Sequence, residues 1–128
     1  MKFTKVTATS EEQVGAPMSS EQKRETEAIA HRRIWASHPD RGEFAIDVQI
    51  GRPYEISANE WACPARVDGL YSNLRDQHGE DSFQALMLAQ NLARTLLAHF
   101  VEDSGVLLDS PDGKRVDIQK LFGQGIIS

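Results

Sequence analysis

Between Ser82 and Val101 twenty consecutive residues carry a single formal charge, Arg94, and no other part of the chain restricts the fold as tightly. Its apolar residues recur at helical spacing, so that on a wheel Ala85, Leu86, Ala89, Leu92, Ala93, Leu96, Leu97 and Phe100 gather on one wide arc. Asp81 stands three residues before Gln84, a capping arrangement for a helix amino terminus, and Gly105 is the predicted stop. At about 1.5 Å per residue such a helix exceeds about 30 Å and dominates a small domain. It is not a membrane span, because Gln84, Gln90, Asn91, Arg94 and His99 are poorly tolerated in hydrocarbon.

A helix with one apolar arc needs a partner layer, and the residues before it supply strands. Phe44, Ile46, Val48 and Ile50 alternate with Ala45, Asp47 and Gln49, the clearest period-two run in the chain. Upstream, Glu27 to Ala36 alternates more weakly and reads as a strand, in competition with a helix capped by Ser19 or Ser20. His38-Pro39-Asp40-Arg41-Gly42 joins the two strands as a hairpin turn. After Gly51-Arg52-Pro53 and an irregular stretch, Trp61, Cys63, Ala65 and Val67 form a further alternating run. Pro64 within it favours an edge strand or a bulge, because proline donates nothing to a ladder. Beyond the helix, Val106 to Leu108 and Arg115 to Ile118 flank Ser110-Pro111-Asp112-Gly113 and predict two short strands joined by a turn.

The 128 residues suit one domain rather than two cores, and 19 acidic against 14 basic residues leave a net charge of -5. That balance opposes nucleic-acid binding, which places a basic face against phosphates. One cysteine excludes an internal disulfide framework, and no ligand spacing calls for a metal or a cofactor. Residues 1 to 26 hold too little apolar surface to offset the entropy of ordering them and read as a disordered tail, leaving 27 to 128 as the folded domain. No apolar signal segment opens the chain, so the expected compartment is the cytoplasm.

The remaining arc of the long helix holds Gln84, Met87, Leu88, Asn91, Arg94, Thr95 and Ala98, where a solvated face would carry several charges. Either the tail or the carboxy-terminal segment packs over it, or it is a surface for a protein partner or a second copy, since interface cores are depleted of charge. Gln84, Met87, Leu88, Asn91, Arg94 and Thr95 are the candidate interaction residues. A rival reading is an anion or small-molecule site, or an enzyme's, near His31, Arg33, Trp61 and Cys63. Against it, Cys63 sits on an apolar register, and the four arginines between Glu27 and Arg52 are matched by four acids. Asp76, His78, Glu80 and Asp81 cluster at the helix entrance, where acids serve the helix dipole more readily than a metal. No P-loop, dinucleotide fingerprint, serine elbow or zinc helix is present.

Asp47-Val48-Gln49-Ile50-Gly51-Arg52-Pro53, Trp61-Ala62-Cys63 with Val67-Asp68-Gly69-Leu70, and Gly79-Glu80-Asp81-Ser82-Phe83-Gln84-Ala85-Leu86 together resemble a family of small bacterial proteins built on a domain of unknown function. Its pattern is an IG-x-P strand end, a W-x-C strand and a G-x-D-S-x-Q-A-L helix start, spanning here about residues 27 to 108. The resemblance supplies no catalytic residues and implies an antiparallel sheet followed by one long helix. The expectation is an α+β domain with an antiparallel sheet of about three to five strands on one long helix. It is expected to work without catalysis, by protein association through the uncharged helix face or the sheet edge near Pro64, as an immunity-like protein or a secretion chaperone does, using its acidic surface against a basic partner.

Overall fold

The computed structural model describes residues 28–123; the expected tail lies outside them, and the helix that competes for Glu27 to Ala36 is not found, since Ala28–His38 is a strand. The architecture is α+β, with seven strands in two antiparallel sheets and one long helix. Strand β1 (Ala28–His38) and β2 (Gly42–Gly51) form the predicted hairpin, in register from His38 opposite Gly42 to Ala30 opposite Ile50. Its turn closes where the Arg41 N–H donates to the His38 carbonyl at 3.1 Å, and Gly42 follows at φ +75°, the usual geometry of hairpin loops of this length.

Two sheets form instead of the one expected, because the chain leaves the hairpin at Gly51 and returns to it at Pro64. Between those points β3 (Tyr54–Ser57) pairs with β4 (Glu60–Cys63), and β4 pairs with β6 (Gln77–Gly79). Then β5 (Ala65–Asp68) joins the edge of β2 antiparallel, with Val67 opposite Val48. The run from Trp61 to Val67 is therefore two strands in two sheets, and Pro64 is the corner between them. Burial shows why alternation fails there: Ala62, Cys63, Pro64 and Ala65 are all buried where the sheets meet. Gly51 lies against this corner, donating its N–H to the Pro64 carbonyl at 2.9 Å; a Cβ on it would stand 2.8 Å from Pro64 Cγ.

Helix α1 (Ser82–Glu102) covers both sheets. Asp81 caps it, Oδ1 accepting from the Gln84 N–H at 2.8 Å, while Gln84 Oε1 accepts from the Glu80 N–H at 2.7 Å. Its buried stripe is narrower than the predicted arc: Ala85, Ala89, Ala93, Leu97 and Phe100 are buried, with Leu86, Leu92 and Leu96 half-buried at the margins. Ala85 and Ala89 pack with Ile50, Cys63 and Ala65, where small side chains let backbone approach the sheet junction. Ala93, Leu97 and Phe100 pack with Ile34, Ala36, Ile46, Val67 and Leu107 over the four-stranded sheet. Each fully buried leucine, isoleucine or phenylalanine contributes roughly 1.5 to 3 kcal/mol of transfer free energy.

The helix ends one residue earlier than the glycine rule implies. Ser104, at φ +76°, takes the left-handed position; its N–H donates to the Val101 carbonyl at 3.2 Å and the Gly105 N–H to Phe100 at 2.9 Å. Gly105 is needed for space instead, since a Cβ there would fall within 2.6 Å of the Phe100 ring. After it β7 (Val106–Leu108) pairs with β1 and completes the sheet order β5-β2-β1-β7. The last predicted strand, Arg115 to Ile118, is reduced to a bridge between Arg115 and Leu108, because Asp117 caps the short helix α2 (Ile118–Leu121).

Candidate functional site

The outer face of α1 remains open among the described residues. Gln84, Met87, Leu88, Asn91 and Thr95 are exposed, and they are joined by Phe83, which is 71% exposed at the first helical turn. Phe83 is absent from the sequence-derived set, although its spacing of four residues from Met87 is the signal that it shares the strip. Arg94 is the exception. It is half-buried, its guanidinium 5.2 Å from the ring centroid of Phe122, so the segment after α2 covers one flank of the face.

His31 and Arg33 meet on the outward face of the four-stranded sheet, both on Asp47. Arg33 donates from Nε at 3.0 Å and Nη2 at 3.1 Å, a bidentate pair, and His31 Nε2 lies 3.0 Å from the same carboxylate. Hydrogen bonds from Arg33 first and His31 second hold the Asp47 carboxyl below the ordinary range, and Asp47 in turn raises the Arg33 guanidinium. These three groups satisfy one another and form a cross-strand ladder of mixed charge, continued by the Arg66–Asp68 pair.

Trp61 and Cys63 are not brought to them. Both lie on β4 in the other sheet, and Cys63 is fully buried among Ile50, Ala85 and Ala89. Its thiol donates to the Gly51 carbonyl at 3.4 Å, and burial, helped by the charge of Asp76, pushes its pKa up to about 11. That is a protonated, inert thiol at neutral pH. His38, at the end of β1, stands apart from His31 and Arg33. Its Nδ1 accepts from the Asp40 N–H at 3.1 Å, which leaves Nε2 to donate to the Asp103 carbonyl at 2.8 Å and close the carboxy end of α1.

The acids at the helix entrance are dispersed in the same way. Asp76 accepts from the Tyr54 hydroxyl at 2.5 Å, His78 pairs with Glu60 at 2.7 Å, and Asp81 caps the helix. Among the described residues no group of three or more His, Cys, Asp or Glu side chains is placed to hold a metal. No helix there is long and apolar enough to cross a membrane.

One cleft opens on the helix side of the sheet, about 360 Å³ in volume and bounded by Ile34, Val48, Ala93, Leu97 and Phe122. Arg32 lines it together with His31; Arg32 is the hairpin arginine that faces away from Arg33 because side chains alternate along a strand.

The folded unit is thus an α+β domain of two antiparallel sheets under one long helix whose outer face mixes apolar and uncharged polar residues. The family defined as domain of unknown function DUF6968 matches residues 30–116, from β1 through α1 and β7 to Val116, and the chain belongs to it. Comparison with curated proteins and with solved structures gives no match.

Proposed function

We propose that this chain works by non-catalytic protein association, through the outward face of α1. The observation that carries the reading is Phe83, Met87 and Leu88 exposed together at 71%, 40% and 37% beside Gln84, Asn91 and Thr95, with no charged residue among them. A helix face in water normally carries interleaved charges, whereas the centre of an interface is depleted of them and favours Phe and Met. The partner is a second copy of the chain or another cytoplasmic protein. Ten basic and fourteen acidic residues lie between Ala28 and Gly123, and this excess of acid speeds encounter with a basic partner, as in an immunity-like or chaperone-like role.

The test is a paired one. Sedimentation and affinity capture are run on the protein and on the double variant Met87→Glu/Leu88→Glu, with circular dichroism confirming that both fold. Loss of self-association, or of a specific captured protein, in the variant alone supports the reading. A monomer that captures the same proteins in both forms refutes it.

A further inference from the structure

The cleft beside Arg32 has the chemistry of a ligand site that the association reading does not use. Its walls are apolar: Ile34 and Val48 from the hairpin, Ala93 and Leu97 from α1, and Leu121 with Phe122 from the carboxy-terminal segment. On the helix side the small, buried Ala93 leaves room opposite this end of the hairpin, with the exposed Gln90 at the rim. At about 360 Å³ it falls within the usual range for small-molecule pockets, roughly 300 to 1,000 Å³.

The charge at this cleft runs against that of the molecule as a whole. No acidic side chain lines it, and Arg32, on the same register as the buried Ile34 and Ala36, has no acidic partner among the described residues. The neighbouring Arg33 shows the ordinary fate of an arginine on this hairpin, a bidentate pair with Asp47. By contrast, the second cleft, about 200 Å³, is lined by Arg66 together with Asp68 and Asp76 and has no preference for an anion.

We propose that the Arg32 cleft binds a medium-chain carboxylate, its hydrocarbon lying between α1 and the hairpin and its carboxylate on the Arg32 guanidinium. A planar guanidinium matches a carboxylate with two parallel hydrogen bonds, and the apolar walls suit a hydrocarbon tail that sheds water on entry. Gln90, also in the lining, offers one more donor from the helix side.

The probe is decanoate below its micelle concentration, titrated into the full-length protein by calorimetry, with chemical-shift mapping by NMR. The expected result is saturable binding of one equivalent, with affinity rising roughly four-fold per methylene from hexanoate to decanoate. Arg32→Gln should weaken decanoate at least about ten-fold and leave decanol unchanged, since only the charge-assisted contact is lost. Ala30→Trp, at an exposed lining position, should block both. Shifts should gather at Ala30, Arg32, Gln90 and Phe122. No saturable binding overturns the proposal. So do equal affinities for the protein and for Arg32→Gln, or shifts confined to Met87 and Leu88, which would place the amphiphile on the outer face of α1.

Discussion

Replacing Gly51 by alanine tests the account of how one chain builds two sheets. The backbone at Gly51 is not in the left-handed region, so alanine meets no conformational penalty, and by restricting the unfolded chain it should stabilise by about 0.4 to 1 kcal/mol. Opposing this, the new Cβ would stand 2.8 Å from Pro64 Cγ and 3.2 Å from Cδ, at a corner where Pro64 and Cys63 are buried. Overpacking of this kind costs about 1 to 3 kcal/mol, so the net effect is a loss of about 1 to 2 kcal/mol. For a domain near this size that lowers Tm by several degrees, about 4 to 8 °C per kcal/mol. The closest contact is with Cγ of the ring, whereas Cβ of residue 64, 3.1 Å away, is kept by alanine, so in a Pro64→Ala background the Gly51→Ala penalty should shrink. Urea unfolding of all four proteins, followed by tryptophan fluorescence, measures the coupling. Equal penalties in both backgrounds would refute the claim that Gly51 is held small by Pro64.

Other expectations follow from the helix end, the core and the thiol. Ser104→Gly should stabilise by about 1 kcal/mol in thermal unfolding, since serine holds the left-handed position at φ +76°, whereas Gly105→Ala should destabilise through its clash with the Phe100 ring. Leu97→Ala, at a fully buried position, should cost about 2 to 5 kcal/mol in urea unfolding. The Cys63 thiol binds its proton more tightly when folded, so stability is full below the ordinary thiol value of about 8.5 and falls as pH rises toward about 11; Cys63→Ala should remove that slope. A thiol reagent should accordingly label native protein only at its unfolding rate. Asp47 has the opposite sign, its carboxyl held low by Arg33 and His31. Its small contribution is present above the ordinary aspartate range and lost as pH falls through the lowered value, a slope that Asp47→Asn should flatten.

The hairpin and the long helix were legible because each carries its own period over many residues: Phe44 to Ile50 alternates, and Ala85 to Phe100 recurs every three or four. What escaped lay below that resolution. β3 is four residues long with three exposed, and β6 is Gln-His-Gly, so neither offers a buried face to read. The corner at Pro64 was concealed because alternation by sequence continues from Trp61 to Val67 although the sheets change, and only burial separates them. Among site residues, alternation groups His31 and Arg33 with a thiol that lies in the other sheet, and Arg32 is not among the candidates. Period two assigns it to the opposite face from both, and the cleft behind that face exists only once α1 and Phe122 are in place.

The central claim, that the outer face of α1 meets another protein, is tested most directly by photocrosslinking from that face. A benzophenone amino acid placed at Met87 should yield one discrete cross-linked product, either a dimer of the chain or an adduct with a single protein. The same group at Arg66, exposed on the outward side of the four-stranded sheet, should yield none. Products from position 66 alone, or from neither position in living cells and in purified protein, would contradict the account.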